Sequence, residues 1–177
     1  MTLRARVFGD DINTDYIIAS RRKRDSLDPQ VLRRYLFEEI APGFAASIEP
    51  GDVIVAGKNF GCGSAMEVAV TAVLGTGIGA VLACSFSRTY YRNAVNNGLR
   101  PVICDTARIS EGDRLRIEDG VTNETTGESI AAEPLPEVML RIIEAGGLVE
   151  YFRRYGGFAR SFDSPLRRGD RPGGLSY

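Results

Sequence analysis

The 177-residue sequence contains no histidine and only three cysteines, Cys62, Cys84 and Cys104. Without histidine, the chain by itself cannot form a Ser-His-Asp triad, a Cys-His pair or a His-ligated zinc site. The cysteines are odd in number and include no Cys-x-x-Cys pair, which argues against a disulfide framework. Cys84 and Cys104 end strand-like runs and are predicted core residues, whereas Cys62 lies on a loop as a candidate reactive thiol. A solitary cysteine cannot hold an iron–sulfur cluster.

The chain also lacks an excess of charge and any long apolar run. Its 22 basic and 23 acidic residues leave a net charge of −1, so no overall field favours nucleic acid or an anionic membrane. No run approaches the length of a membrane span, and the first residues lack the apolar segment of a signal peptide. We therefore expect a cytoplasmic protein with no membrane or nucleic-acid partner.

The length and the 44% apolar content predict one globular domain over 1–155. Strand-like and helix-like segments alternate in its first two thirds, which indicates an α/β fold with a mainly parallel central sheet. The predicted strands are 3–8, 52–56, 80–84 and 101–104, followed by a hairpin near 120–127. The predicted helices are 29–40, 65–74, 87–97, 136–145 and 148–155. Residues 156–177 are rich in Arg, Gly, Pro and Ser and are predicted to be a flexible or partner-ordered tail.

The most informative stretch is 57–67, which reads GKNFGCGSAME and joins a predicted strand to a predicted helix. Ser64 followed by Glu67 matches a capping box, in which the serine oxygen accepts an amide of the first helical turn. A second interpretation is that oriented amides at the helix start stabilise an anion or a Ser64 alkoxide. The stretch fits neither a Walker A motif nor the dinucleotide fingerprint.

This stretch resembles the glycine-rich loop of the aconitase superfamily's swivelling domain, and specifically that of isopropylmalate isomerase small subunits. Three further blocks resemble the same family in the same order: 8–18 (FGDDINTDYII), 85–99 (SFSRTYYRNAVNNGL) and 144–151 (EAGGLVEY). The resemblance covers about residues 3–155. It implies a single compact β/β/α swivelling domain, like the aconitase C-terminal domain.

The resemblance also implies a reaction, the dehydration and rehydration of a hydroxy acid. In the family the residue matching Ser64 is the base, and the residue matching Asp15 orients a histidine of the large partner subunit. An Asx turn is the alternative role for Asp15. The substrate-binding residues that the resemblance implies on the loop are Gly61, Cys62, Gly63, Ala65 and Met66. No metal or cofactor is expected on this chain, and a 4Fe-4S cluster is expected on the large subunit.

The chain departs from the family pattern at Ala65, Met66 and Val68, where the family has Ser, Arg and His. The family arginine binds a substrate carboxylate, which a thioether cannot do. One hypothesis is that Met66 contacts an apolar group of a different substrate. The other is that the chain is a non-catalytic paralogue.

A run of four cations lies where the family has a substrate-recognition loop: Arg21, Arg22, Lys23 and Arg24. One interpretation is a solvated charge cluster, and the other is recognition of an anionic substituent of the substrate. Arg88 and Arg92 lie four residues apart on a predicted helix; ordinary surface ion pairs are expected, and binding to the partner subunit or to Glu67 is the alternative.

The sequence thus indicates the small subunit of a two-chain hydro-lyase acting on a hydroxy di- or tricarboxylic acid, with 3-isopropylmalate dehydratase of leucine biosynthesis as the main hypothesis. Relatives acting on other hydroxy acids (homoaconitase, dimethylmalate or citramalate types) and a non-catalytic paralogue remain alternatives. Nucleic-acid binding is poorly supported, because no aromatic residues interleave with the loop cations. Self-association of the free subunit stays open.

Overall fold

The computed structural model describes residues 2–158 and contains seven strands in one sheet. They are β1 (Leu3–Val7), β2 (Asp52–Ala56), β3 (Ala80–Ala83), β4 (Arg100–Ile103), β5 (Arg114–Ile117), β6 (Val121–Asn123) and β7 (Glu128–Ile130). Their order across the sheet is β4-β3-β2-β1-β5-β6-β7. Residues 159–177, which form most of the predicted tail, lie outside the described residues.

Seven α-helices connect or cover the strands in this part of the chain. They are α1 (Thr14–Ile17), α2 (Pro29–Leu32), α3 (Phe44–Ser47), α4 (Val68–Gly75), α5 (Arg88–Asn96), α6 (Glu137–Glu144) and α7 (Leu148–Tyr155). Short 3-10 helices span Ser20–Arg24, Arg33–Tyr35 and Thr106–Arg108. Among residues 2–158, no helix is long and apolar enough to cross a membrane.

The sheet has a parallel half and an antiparallel half. β1 to β4 form three parallel pairs, and β1–β5, β5–β6 and β6–β7 are antiparallel. β2 is buried along its whole length, as expected for a central parallel strand covered on both faces. The predicted α/β fold with a parallel central sheet is confirmed, and the shorter alternating pattern near 120–127 corresponds to two successive hairpins.

Alternate residues of the parallel strands face two separate apolar layers. Ile54 and Val81 face the layer formed with the helices, together with Phe37, Phe60 and other side chains. Val53 and Leu82 point to the opposite face and join a second cluster with apolar residues of β5 to β7. The sheet therefore curls, and its two halves enclose the second cluster. The helical layer supports the loops described below.

The predicted helix over 29–40 is wrong in its second half. Asp28 caps the helix as predicted, since its Oδ1 accepts the Gln30 amide at 2.8 Å, but α2 ends at Leu32 and gives way to a 3-10 turn. Phe37 then takes a left-handed backbone (φ 57°), and its amide donates to the Ile17 carbonyl at 2.9 Å. Its side chain is fully buried. Burial of Phe37 against the α1 segment, which a continuous helix would not reach, accounts for the break.

Candidate active site

Three loops meet at one edge of the sheet. The segment 8–13 follows β1, the glycine-rich loop (residues 57–67) follows β2, and the segment 84–87 follows β3. Since β1, β2 and β3 are adjacent and parallel, their carboxyl ends lie side by side. The carboxyl edge of a parallel sheet is the usual position of a ligand site in α/β proteins.

Backbone hydrogen bonds hold the glycine-rich loop from both sides. On one side, the Gly61 amide donates to the Ile12 carbonyl at 2.8 Å, and the Thr14 amide donates to the Cys62 carbonyl at 2.7 Å. On the other side, the Phe60 amide donates to the Ser85 carbonyl at 2.9 Å. The loop is therefore fixed by the chain before and after it in sequence.

Polar side chains complete this frame. Asp10 Oδ1 accepts the Lys58 amide at 2.7 Å, and Asp11 Oδ1 accepts Asn59 Nδ2 at 2.8 Å. Ser87 caps α5 and donates its hydroxyl to the Gly61 carbonyl at 2.6 Å. Asp11 and Asn59 both have left-handed backbones, with φ of 55° and 59°. Such strained conformations persist where surrounding bonds over-determine them and are concentrated at functional sites.

Two glycines of the loop are required by close packing. Gly61 has φ of 75°, and a Cβ there would lie 2.2 Å from Cγ of the fully buried Tyr90. Gly63 has φ of 94°, and a Cβ there would lie 2.4 Å from Asn13 Oδ1. Both positions therefore exclude a side chain on steric as well as conformational grounds.

Ser64 is exposed at the top of this frame. Its carbonyl accepts the Thr14 hydroxyl at 2.9 Å. Within residues 2–158, the Ser64 hydroxyl and the amides of Gly63, Ser64 and Ala65 have no hydrogen-bond partner. Successive unpaired amides can bind a carboxylate or stabilise an oxyanion. The hydroxyl is thus free to act on a bound molecule.

The predicted capping box is not formed, and the predicted helix start at 65 is wrong. α4 begins at Val68, and Glu67 occupies the N-cap position without a side-chain cap bond. Ser64 lies four residues before the helix, because its carbonyl is bound to Thr14 and the Met66 side chain is buried in the helical layer. Any stabilisation of Ser64 must therefore come from loop amides rather than from a helix N-terminus.

Cys62 lies on the glycine-rich loop, and Asp15 lies in α1. Cys62 is half-buried, and burial together with the charge of Asp11 raises the pKa of its thiol, so Cys62 is not an activated thiolate. Asp15 Oδ1 accepts the Ser20 amide at 3.0 Å. The Asx turn in this segment is made by Asn13, whose Oδ1 accepts the Asp15 amide. Asp15 Oδ2 has no hydrogen-bond partner among the described residues and is available to a bound group.

A cavity of about 440 Å³ lies at the end of the glycine-rich loop, where it is lined by Ala65 but not by Ser64 itself. Its lining residues are Lys23, Leu27, Ala65, Met66, Glu67, Val68 and Thr71. Met66 borders the cavity but is only 6% exposed, so most of its side chain belongs to the core. Leu27 and Thr71 were not predicted as site residues. The helical spacing of Thr71 after Glu67 and Val68 is the signal that could have found it.

The structure separates the four cations of the basic loop into two kinds. Arg22 binds both carboxylate oxygens of Glu38, at 2.9 and 2.7 Å, and its guanidinium lies 3.7 Å from the Tyr35 ring centroid. This hydrogen bonding lowers the pKa of Glu38. Arg21 also contacts Glu38, and it contacts a second carboxylate on Glu39. These two arginines hold the loop in place.

Lys23 and Arg24 are exposed and have no ion-pair partner within residues 2–158. Of the two, Lys23 lines the cavity. The expected surface pairing of Arg88 and Arg92 is likewise not found among the described residues, and both side chains are exposed on α5. Lys23 is therefore the loop cation placed to meet a ligand.

The donor set of the described residues does not suit a metal centre. No three His, Cys, Asp or Glu side chains in residues 2–158 lie together as a metal site. Cys104 is buried, and burial, with the neighbouring Cys84, raises the pKa of its thiol to about 11. An iron–sulfur cluster needs several thiolates, and the three cysteines of residues 2–158 form no such group.

Comparisons with known proteins identify the family to which the chain belongs. Residues 46–107, which include the glycine-rich loop, match the Aconitase C-terminal domain family. The chain is 48% identical to 3-isopropylmalate dehydratase small subunit 1 of Methanopyrus kandleri, over 86% of this chain and 92% of that protein. It is 41% identical to the isopropylmalate/citramalate isomerase small subunit of Methanocaldococcus jannaschii, over 83% and 90% of the two chains.

A solved structure supports the same assignment. The crystal structure of 3-isopropylmalate dehydratase from Methanocaldococcus jannaschii has a TM-score of 0.83 to this chain at 41% identity. The match covers 86% of this chain and 93% of that chain. The fold, the glycine-rich loop and these relatives together show that the chain belongs to the family of 3-isopropylmalate dehydratase small subunits, built on the aconitase C-terminal domain.

Proposed function

We propose that this chain is the small subunit of a two-chain hydro-lyase that converts 2-isopropylmalate to 3-isopropylmalate in the cytoplasm, a step of leucine biosynthesis. The observation that carries the proposal is the exposed Ser64 hydroxyl, which lies beside unpaired amides on a loop fixed from both sides. The family to which the chain belongs supports the reaction class.

Ser64 is the proposed base. In a dehydration of this kind, the base accepts the proton on the carbon next to a carboxylate while the hydroxyl leaves from the adjacent carbon. A serine alkoxide is strongly disfavoured in water, and this chain has no histidine to accept the serine proton. The loop amides around Ser64 are the groups of this chain that can stabilise the anion.

The cavity lined by Ala65 and Met66, the two residues that follow Ser64, is the proposed substrate site. Its volume of about 440 Å³ is within the usual range for a small-molecule site. Lys23 supplies a cation for a substrate carboxylate, in place of the family arginine that Met66 replaces. Leu27, Met66 and Val68 supply apolar surface for the isopropyl branch. Gly61, Cys62, Gly63 and Ala65 contribute the loop backbone, and the ion-paired Arg21 and Arg22 position the loop that carries Lys23.

The large subunit is the proposed partner. The 4Fe-4S cluster of the family's reaction supplies a Lewis acid for the leaving hydroxyl, and we expect it on that subunit, since this chain lacks the thiolates. Asp15 is proposed to orient a histidine of the large subunit through Oδ2. Because the site is open on this chain, the partner must cover it to exclude water from the reaction.

A second candidate substrate is citramalate, which carries a methyl group in place of the isopropyl branch. One relative is named as an isopropylmalate/citramalate isomerase small subunit, and the cavity wall at Met66 and Leu27 is apolar, which suits either branch. The alternative to an enzyme is a non-catalytic paralogue. The reason to consider it is Met66, which replaces the family arginine.

The experiment is anaerobic reconstitution with the cluster-bearing large subunit from the same genome, followed by turnover measurements on 2-isopropylmalate and on citramalate. The main proposal predicts a higher kcat/KM for 2-isopropylmalate. A higher value for citramalate would transfer the assignment to the second substrate. A stable complex without turnover of either acid would overturn both enzyme assignments and support the paralogue.

A further inference from the structure

Thr14 is a buried polar residue directly beside the exposed Ser64. It is 2% exposed, and it begins α1 immediately before Asp15. Its hydroxyl donates to the Ser64 carbonyl at 2.9 Å, and its amide donates to the Cys62 carbonyl at 2.7 Å. One residue thus makes two hydrogen bonds to the short segment that carries the proposed base.

The hydroxyl bond has a clear preferred acceptor. A threonine hydroxyl has one proton, and its other neighbour, Asn13 Oδ1, is 3.5 Å away. Asn13 Oδ1 already accepts the Asp15 amide at 2.9 Å. The geometry therefore assigns the Thr14 proton to the Ser64 carbonyl.

The position of Ser64 depends heavily on this bond. The Ser64 hydroxyl and amide have no partner among the described residues, and α4 begins only at Val68. Of the hydrogen bonds within residues 2–158, the bond from Thr14 is the one that holds Ser64 itself. A base that is misplaced by about 1 Å can lose about a hundredfold in rate.

We propose that Thr14 is a positioning residue that fixes Ser64 for proton abstraction. The kinetic part of this inference rests on the proposed function, whereas the positioning of the loop does not. Thr14 touches no reacting atom, because its hydroxyl is bound to a backbone carbonyl.

The test compares Thr14→Val, Thr14→Ser and Thr106→Val. Valine matches threonine in shape but removes the donor, and serine keeps the hydroxyl. Thr106 is the matched control, since it is 6% exposed, its hydroxyl donates to the Ala56 carbonyl at 2.7 Å and lies 3.0 Å from Cys84 Sγ, and its side chain makes no hydrogen bond to residues 61–65. For kinetics, each variant small subunit and the wild type are reconstituted with the large subunit. For the free small subunits, hydrogen–deuterium exchange is measured in loop peptides that cover 61–65.

Thr14→Val is expected to lower kcat by about tenfold to a hundredfold with KM within about threefold of wild type, while Thr14→Ser restores kcat to within about threefold. Thr106→Val is expected to lower Tm to a similar extent but to keep kcat. Exchange at 61–65 is expected to rise in Thr14→Val and to stay at the wild-type level in Thr106→Val.

Equal kcat in Thr14→Val and wild type, or equal exchange at 61–65 in Thr14→Val and Thr106→Val, would overturn the inference. If the wild-type complex turns over neither hydroxy acid, the proposed function fails, and the exchange comparison still decides whether Thr14 positions the loop. If Thr14→Val does not fold, Thr14→Ser provides the test. A loss of kcat of more than threefold in Thr14→Ser, or raised exchange at 61–65 in that variant, would overturn the role assigned to the hydroxyl.

Discussion

Replacing Gly61 by alanine tests whether the buried ring of Tyr90 forms a rigid floor under the glycine-rich loop. A Cβ at Gly61 would lie 2.2, 2.3 and 2.6 Å from the Cγ, Cβ and Cδ2 atoms of Tyr90. These atoms are at the base of the side chain, and Tyr90 is 2% exposed, so it has little room to move. The matched control is Gly77→Ala, because Gly77 has a similar φ of 89° with no atom within 4 Å of a Cβ.

The magnitudes follow from these geometries. A left-handed backbone costs an L-residue about 1–2 kcal/mol, and alanine recovers roughly 0.4–1 kcal/mol by restricting the unfolded chain. Gly77→Ala should therefore lose about 1 kcal/mol or less. Gly61→Ala adds overpacking of about 1–3 kcal/mol, giving a total loss of roughly 2–4 kcal/mol. In a domain of this size, Gly77→Ala should lower Tm by no more than about 2–4 °C, and Gly61→Ala should lower Tm by about 5–15 °C.

The assay is chemical or thermal unfolding of both variants beside wild type, followed by turnover of the reconstituted enzyme. Because the Gly61 carbonyl and amide both anchor the loop, Gly61→Ala should also reduce kcat more than tenfold, while Gly77→Ala keeps it. Equal Tm values for the two variants would refute the rigid floor, because the backbone strain is common to both.

Three further predictions concern a buried carboxylate, the loop cation and a buried phenol. Burial alone would raise the pKa of Asp52, but hydrogen bonds from two β1 arginines and a backbone amide lower it overall. Asp52→Asn should therefore lower the free energy of unfolding by about 3 kcal/mol at pH 7. In urea titrations, this difference from wild type should vanish as the pH falls from about 3.9 through the lower pKa of Asp52 in the folded state. A difference that stays constant with pH would contradict the prediction. Lys23→Met should raise KM roughly tenfold to a hundredfold at unchanged Tm, since one charged hydrogen bond is worth about 1.5–3 kcal/mol and about 1.4 kcal/mol is a factor of ten. Arg22→Met should instead lower Tm, and an unchanged KM in Lys23→Met would leave Lys23 as a solvated charge. The Tyr90 hydroxyl is buried without a partner among the described residues, so Tyr90→Phe should stabilise the protein by about 1 kcal/mol, and a lower Tm would show that the phenol is hydrogen-bonded.

The buried strands and the positions of the loops between them could be predicted from the sequence, because continuous apolar runs and turn residues are local signals. The predicted bounds of β2 at 52–56 and of α7 at 148–155 agree with the structure. The glycine-rich loop was predicted at the right place between β2 and α4. The contacts of this loop with 8–13 and 84–87 were not predicted, since they join distant parts of the chain.

The start of α4 could not be predicted locally. The Ser64–Glu67 pair is a valid helix-start signal, but two tertiary interactions compete with it, namely the Thr14 hydroxyl bond and the burial of Met66. Tertiary contacts commonly override local propensity in this way.

The different roles of the four cations in the basic loop could not be predicted from the sequence either. Arg21 and Arg22 look like free cations in the sequence, and their partners Glu38 and Glu39 follow 16–18 residues later across a broken helix. Because the break at Phe37 was not predicted, neither were these ion pairs. The sequence predicted all four cations as substrate-binding candidates, and only the structure distinguishes Lys23, which lines the cavity, from the other three.

The central claim is that Ser64 is the base of a shared active site. The most direct measurement is kcat of the reconstituted enzyme carrying Ser64→Ala, beside wild type and Ser129→Ala, which changes an exposed serine on β7. The account predicts that Ser64→Ala forms the complex with the large subunit but loses at least about a hundredfold in kcat, as expected for removal of a catalytic base, while Ser129→Ala matches wild type. Turnover by Ser64→Ala within a few-fold of wild type would contradict the account.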